Sequence, residues 1–435
     1  MSRAPEDRRL RLATARTFRS LSNRNYRLFF TGQLVSVIGT WMQMVAQGWL
    51  VLTLTGSGLA LGVAAALQFL PMLVFGAWGG LVADRFDKRR LLVATQIAAG
   101  LLALLLGLLV VAEVVTLWMV YVLALVLGGV SVVDMPTRQA FVTEMVGADD
   151  VPNAVGLNSA VFNTGRLVGP AVAGVLAASV GVGPCFLINA VSYVGVVAGL
   201  RAMRDDELHR QAPVVAGAGQ VRAGLRYVWS TPELRSTLLL VAAIATFGLN
   251  QAVILPLLAR YSLGGGVRLY GLLSSLVAVG SVAGALVAAG RPRPTRRLLL
   301  GSATAFGVLT IAAAVAPTPL SVGLLLVPTG LATMLFLATA NSTLQLASAP
   351  EMRGRVMALY GLVFLGSNPV GAPLLGWISG QWGARMGMAL GGTVSLAAAL
   401  VAVAARSGRR WPRLRPVGAE ARPEAAVTPL PVEAA

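Results

Sequence analysis

Twelve runs of predominantly apolar residues follow one another along this chain, each close to the ~20 residues a helix needs to cross the hydrocarbon core of a bilayer. They fall at 28–53, 59–82, 91–111, 116–135, 155–180 and 184–201. After a polar interval they resume at 236–259, 268–290, 298–316, 320–343, 356–380 and 385–406. The pattern predicts an all-α membrane protein of twelve transmembrane helices in two blocks of six. Because the runs recur along the whole chain, they do not describe a secreted protein with a leader peptide. The organisation expected is a tail (1–27), a six-helix bundle (28–201), an inter-bundle loop (202–235), a second six-helix bundle (236–406) and a disordered tail (407–435) rich in Pro, Ala and Glu.

The loop 202–235 opens with Arg204, Asp205, Asp206, Glu207, His209 and Arg210 and closes in GQVRAGLRYVWSTPELRS. There Val221, Leu225 and Val228 share one helical face with Trp229 beside it, which predicts a short interfacial helix ahead of span seven. His209, the only histidine, sits in a solvated charge cluster and reads as a bystander. The two blocks also resemble each other. Shifted by about 202 positions, Ala148-Asp149-Asp150 falls on Pro350-Glu351-Met352, Leu157 on Leu359, Gly169 on Gly371 and Gly174 on Gly376. At a nearby shift the RRLL at 89–92 falls on the RRLL at 296–299.

Composition agrees with the apolar pattern. The chain is 56% hydrophobic and 12% charged, with a mean hydropathy of +0.75, whereas soluble domains carry about 25% charge. The net charge of +18 does not indicate nucleic-acid binding, because the arginines cluster in short loops and tails. Arg3, Arg8, Arg9, Arg11, Arg16, Arg19, Arg24 and Arg27 precede span one, and Arg85, Lys88, Arg89 and Arg90 follow span two. Arg291, Arg293, Arg296 and Arg297 follow span eight, Arg353 and Arg355 follow span ten, and Arg406, Arg409, Arg410, Arg413 and Arg415 follow span twelve. The opposite loops hold Arg260, Arg268 and Arg385. This asymmetry predicts a multi-pass protein of the plasma membrane with both termini cytoplasmic. The single cysteine, Cys185, lies in an apolar run and reads as packing.

GLVADRFDKRRLL at 80–92 resembles the signature of the major facilitator superfamily in the loop between spans two and three. Gly80, Asp84, Arg85, Lys88 and Arg89 match that signature, and Asp87 stands where the family has a glycine, so the turn there is expected to differ. The resemblance implies a 6+6 helix fold whose halves rock about a midplane solute site. It also implies that Asp84 faces the start of span eleven, near Arg355, when the cytoplasmic side is closed. A carboxylate at a helix N-terminus is worth about 0.3–1 kcal/mol, a suitable size for a latch that must release. For Arg89 and Arg90 a topology-setting charge is a sufficient reading.

Span five carries Gly156, Gly165, Gly169-Pro170 and Gly174. The spacing is similar to the antiporter motif of the superfamily, with Ala173 replacing one glycine, and implies an exporter. The alternative is generic glycine packing of membrane helices, with Pro170 removing one helix hydrogen bond. FNTGRLVGPAVAG, SLSNRNYRLFFTGQLVSVIGTWM and LTGSGLALG resemble the enterobactin-exporter group, closely over about the first 200 residues and more loosely beyond. Arg166, inside the motif and inside the membrane, is expected to face the bundle interior and either pair with a carboxylate or bind an anion. Asp134 and Glu144 are its nearest candidate partners.

Gln33, Ser36, Thr40, Gln43 and Gln47 repeat along one face of span one, which lipid cannot satisfy. They are expected to face protein or a central cavity, together with Thr246 and Asn250 of span seven and Thr329, Thr333 and Phe336 of span ten. Interhelical hydrogen bonding without a substrate role is the alternative. Span four, bounded at 116–135, lacks the arginine that proton antiporters of the superfamily often carry. Proton coupling needs a titratable group that changes exposure; Asp134 is the first candidate, Asp84 and Glu144 the next, and a helix-end charge is the competing reading of Asp134. No nucleotide-binding loop and no metal-ligand cluster occurs in the sequence, so no cofactor is expected.

These features predict a monomeric secondary transporter and not an enzyme. It would export a small hydrophobic or amphipathic compound, such as a siderophore, antibiotic or other metabolite, by proton antiport. A lysophospholipid flippase of the same fold and a non-transporting membrane receptor or scaffold are the alternatives.

Overall fold

The computed structural model describes residues 18–209, 220–291 and 293–404. The expectations for most of the N-terminal tail, for Arg210 and the middle of the inter-bundle loop, and for the C-terminal tail lie outside the described residues. Twelve helices are long and apolar enough to cross a membrane, one for each run in the sequence. Several begin at side-chain caps that satisfy otherwise orphaned N–H groups. Asn23 accepts from the Tyr26 amide at 3.1 Å, Ser57 from Ala60 at 3.3 Å and Asp87 from Arg90 at 2.9 Å. Asp87 has φ −59°, so the position where the family has glycine needs no left-handed conformation here. The carboxylate starts span three instead. Gly56, at φ 65°, ends span one in the left-handed conformation that glycine adopts without steric cost.

The helices run further than the apolar runs. Span four extends over Leu117–Val146, well past the boundary at 135. The polar residues beyond Pro136 do not end it, because their side chains are satisfied across the bundle. Span seven covers Pro232–Ser262 but breaks between Phe247 and Gln251. Span eleven, Pro350–Trp382, breaks between Gly366 and Asn368, where Pro369 cannot donate to the preceding turn.

The two halves are built alike at the level of single glycines. A side chain at Gly128 of span four would meet the Gln68 carbonyl of span two, and one at Gly330 of span ten would meet the Val277 carbonyl of span eight. Gly169 of span five abuts Ile38 and Trp41 of span one, while Gly371 of span eleven abuts Thr246 of span seven. Gly174 meets Gly271 of span eight, and Gly376 meets Gly58 of span two. Span five thus lies between spans one and eight, as span eleven lies between spans seven and two. Close approach without side chains supplies the dispersion contact that holds helices together where lipid is as apolar as leucine.

The halves meet mainly at one side, although Gly366 of span eleven also lies against Leu73 of span two near mid-span. At the side away from the chain ends, the far side, Gly62 packs on the Ala372 carbonyl and Gly271 on that of Pro170. The Ser275 hydroxyl donates to the Leu167 carbonyl at 3.0 Å, and Tyr261 donates to the Gly56 carbonyl at 3.0 Å. Arg260 donates to the Leu52 carbonyl at 3.2 Å and lies over the rings of Trp49 and Tyr261. On the opposite side, where the tails attach, Gly80, Gly156, Gly354 and Gly361 have nothing within 4 Å of where a side chain would begin. The central space is therefore open on the tail side and closed at the far side.

The helix ahead of span seven spans Gln220–Ser230. Its expected apolar face divides in two. Val228 packs on Leu234, Leu344, Val356 and Leu359, whereas Leu225 and Trp229 are exposed, because the helix lies on the rim of the second bundle. The start of the inter-bundle loop is fastened to the first bundle. The Asn25 amide donates to the Arg204 carbonyl and its oxygen accepts from the Arg204 N–H. The His209 N–H donates to the Glu144 carbonyl at 2.8 Å, so His209 helps hold the chain path through its backbone.

Candidate functional site

The first bundle holds a polar cluster beside the central space. Asp134 is only 7% exposed; it ion-pairs with Arg138 one turn along span four. It also accepts from the Thr95 hydroxyl at 2.8 Å and the Gln96 amide at 2.7 Å, both on span three. Arg138 donates a second bond to the Gln33 side-chain oxygen of span one. A charge withdrawn from water is tolerable only when paired and hydrogen-bonded, and this carboxylate has three donors. Asp134 is therefore no helix-end charge: span four continues for three turns beyond it. The same extension brings Arg138 inside the membrane, so span four does carry an arginine. Hydropathy hid it, because averaging cannot distinguish an arginine in a loop from one satisfied by a neighbouring helix. The spacing of Asp134 and Arg138, four residues apart, was the signal available.

The pairing also corrects the partners expected for Arg166. Asp134 is taken by Arg138, and Glu144 by Lys88 at 2.7 Å. Arg166 enters none of the ion pairs found among the described residues. Its guanidinium lies 5.9 Å from the centre of the Trp41 ring, near the outer limit for a cation–π contact, and Trp41 meets Phe162 edge-on at 5.5 Å.

The polar stripe of span one has two environments. Gln33, Ser36, Gln43 and Gln47 are buried. Gln33 accepts from Arg138, and Gln43 accepts from the Asn189 amide of span six at 2.6 Å. Thr40 is exposed, with its hydroxyl 3.4 Å from that of Tyr193. In the second bundle Asn250 stands at the break of span seven. Its amide donates to the Thr246 carbonyl at 2.7 Å, and its oxygen is buried with no hydrogen-bond partner among the described residues. The Thr333 hydroxyl bonds to the Thr329 carbonyl. Phe336, 1% exposed, packs among Leu240, Ile244, Ala303 and Phe306 in the interior of the bundle, so in this conformation neither residue opens to the cavity.

At the signature loop, Arg85 is exposed and Asp84 half-buried. Asp84 is in none of the ion pairs among the described residues, and the Arg355 guanidinium contacts the Met352 sulfur at 3.3 Å. The contact expected between Asp84 and span eleven when that side is closed is not made among the described residues here. Arg89 is more than a topology-setting charge. It pairs with Asp205 at 2.6 Å and donates to the carbonyls of Leu200 and Arg201, closing the ends of spans three and six together. Close helix approach at the start of this loop is made by Gly79 on Val132, while Gly80 has nothing within 4 Å of where a side chain would begin. Within span five, Gly165 and Gly169 pack on span one, Gly174 packs on span eight and Gly156 meets nothing.

Two matched six-helix halves, closed at one end over a space lined by buried polar groups, are the architecture of a major facilitator transporter. The chain belongs to the family of transmembrane secretion effectors within that superfamily, whose pattern it matches over residues 15–424. It is 25% identical to the staphyloferrin A transporter of Staphylococcus aureus over 60% of this chain, a stretch that spans 65% of that protein, slightly less than two thirds. It is 28% identical to the multidrug efflux pump Tap of Mycolicibacterium fortuitum, over 80% of this chain and 88% of that one. The fold is similar to that of the nucleoside transporter NupG, with a TM-score of 0.71 at 14% identity over 88% of this chain and 99% of that one. It is also similar to that of a bacterial homologue of the lysosomal transporter Spinster in an inward-facing, unoccupied conformation, with a TM-score of 0.67 at 16% identity over 88% and 94%.

Proposed function

We propose that this protein exports a small amphipathic compound, of the siderophore or drug type, in exchange for protons entering the cell. The relatives named for staphyloferrin A and for multidrug efflux support the substrate range, and arginine placement supports cytoplasmic tails. The open side then faces the cytoplasm, ready to load substrate. The observation that carries the coupling is Asp134 held by Arg138, Thr95 and Gln96 at the cavity wall. A proton and Arg138 compete for one carboxylate. Protonation frees Arg138 and Gln33 to rearrange spans one, three and four; release of the proton to the cytoplasm restores the pair. Closing the cytoplasmic side brings Asp84 to the N-terminus of span eleven, whose orphan N–H groups and Arg355 receive it. Gln33, Thr40, Gln43, Asn250 and Thr333 are the cavity groups proposed to meet substrate as the halves rock. Reconstitution in liposomes tests this. An imposed pH gradient should drive ethidium or a siderophore across, and a protonophore should stop it. Flux that ignores the gradient overturns the coupling, and no flux of either compound overturns the export reading.

A further inference from the structure

Span five presents one face to the central space, and Arg166 stands on it. Gly165 and Gly169 fix the side turned to span one, and Pro170 and Gly174 the side turned to span eight. Between these sides lie Val155, Ser159, Phe162, Arg166 and Ala173, spaced three to seven residues apart on one strip. Toward the open end Val155 and Phe162 are 50% and 52% exposed, and toward the closed end Ala173 is 0% exposed. The remaining side, with Val172 and Val175, is exposed at the closed end as well, as a lipid-facing side must be. Arg166 therefore lies where the cavity ends against the far-side closure.

We propose that Arg166 and Trp41 form the roof of an anion-recognition site, for monoanionic substrates that carry a carboxylate on an aromatic or apolar body; the proposal deepens the export reading and rests on it. Among the described residues the charges away from the helix ends are Asp134, Arg138 and Arg166. The first two neutralise each other, so Arg166 leaves the cavity wall one positive charge in excess. A cation at that depth is costly and is kept where it has a partner or a task. Among the described residues the Trp41 ring is its one compensation of charge character. The guanidinium fork suits a carboxylate held by two parallel hydrogen bonds. Trp41 and Phe162, in edge contact, offer an apolar shelf beside it. One guanidinium neutralises a monoanion, whereas a phosphate dianion would leave charge unmatched against those rings.

The test uses the full-length protein in detergent, with 1-naphthoate and its neutral isostere 1-naphthamide as probes and binding measured by calorimetry. A hydrogen-bonded charge pair of this kind separates the two by roughly 10- to 100-fold, so the wild type should favour naphthoate by about that factor. Arg166→Gln should bind both compounds alike. Arg166→Lys, which keeps the charge and loses the fork, should retain a reduced preference and keeps the test decisive if the glutamine variant does not fold. Equal binding of the two compounds by the wild type, no binding of either, or a full preference surviving in Arg166→Gln overturns the proposal. Ethidium efflux by the wild type in liposomes separates the two ideas. Efflux without naphthoate preference removes the anion site and leaves export standing; naphthoate preference with no flux of either ethidium or a siderophore keeps the anion site and removes export.

Discussion

Spans four and ten occupy matching places in the two bundles and share buried Val120/Val322, Gly128/Gly330 and Thr137/Thr339, yet one stretch of buried residues sets them apart. Gly128 and Gly330, 202 positions apart, make the same contact to the preceding pair of spans. The same shift places Asp134 on Phe336 and Arg138 on Ala340. In the first bundle that position holds an ion pair tied to spans one and three. In the second it holds a phenylalanine packed among Leu240, Ala303 and Phe306. A common backbone therefore tolerates either a charged network or an apolar plug, provided each is internally satisfied. In the proposed mechanism the proton-exchanging group therefore belongs to the first bundle, and the matching position of the second has no titratable side chain. The signature loop follows the same division. Asp84 has no acidic counterpart in the loop after span eight, which reads GRPRPTRR.

The sharpest test of that division is Asp84→Asn, which should abolish transport while membrane insertion stays normal; wild-type efflux would remove the latch. Next comes Asp134→Asn. It should flatten the pH dependence of efflux, and an unchanged pH profile would rule Asp134 out as proton carrier. The same change strands Arg138 with Gln33 and should lower stability by about 2–3 kcal/mol, less than the ~3–5 of a fully buried pair because Arg138 keeps some solvent contact. Copying span ten with Asp134→Phe and Arg138→Ala together should recover most of that stability without recovering coupling. Thermal melting in detergent beside a transport assay distinguishes the two outcomes.

Smaller effects probe the likeness of the halves. Gly128→Ala and Gly330→Ala each push a methyl into a carbonyl of the neighbouring span and should destabilise by about 1–3 kcal/mol, to a similar extent. A large difference between them would break the equivalence of the two bundles. Arg260→Ala removes the Leu52 carbonyl bond and the ring contacts at the far side. It should shift the equilibrium toward far-side opening by on the order of 1 kcal/mol, read as faster labelling of a cysteine placed at Ser275 of span eight. Unaltered labelling would show that the remaining far-side contacts close that side without Arg260.

Much of this protein is determined by the linear order of its residues. Run length sets the spans, because a bilayer demands internal satisfaction of every backbone group over a fixed thickness. Glycine spacing shows which sides of spans five and eleven can lie close to a neighbour, and the signature loop is recognisable from its residues, though not the contacts of Arg89 and Gly80 within it. Partners are another matter. The choice of Arg138 over Arg166 for Asp134, the burial of Gln43 against Asn189 while Thr40 stays open, and the place of Phe336 inside a bundle all depend on which helices sit side by side. Periodicity assigns a residue to a face but not to the neighbour that the face meets. Only the folded arrangement decides that, because hydrogen bonds and ion pairs act over a few ångströms between residues that stand far apart in the chain.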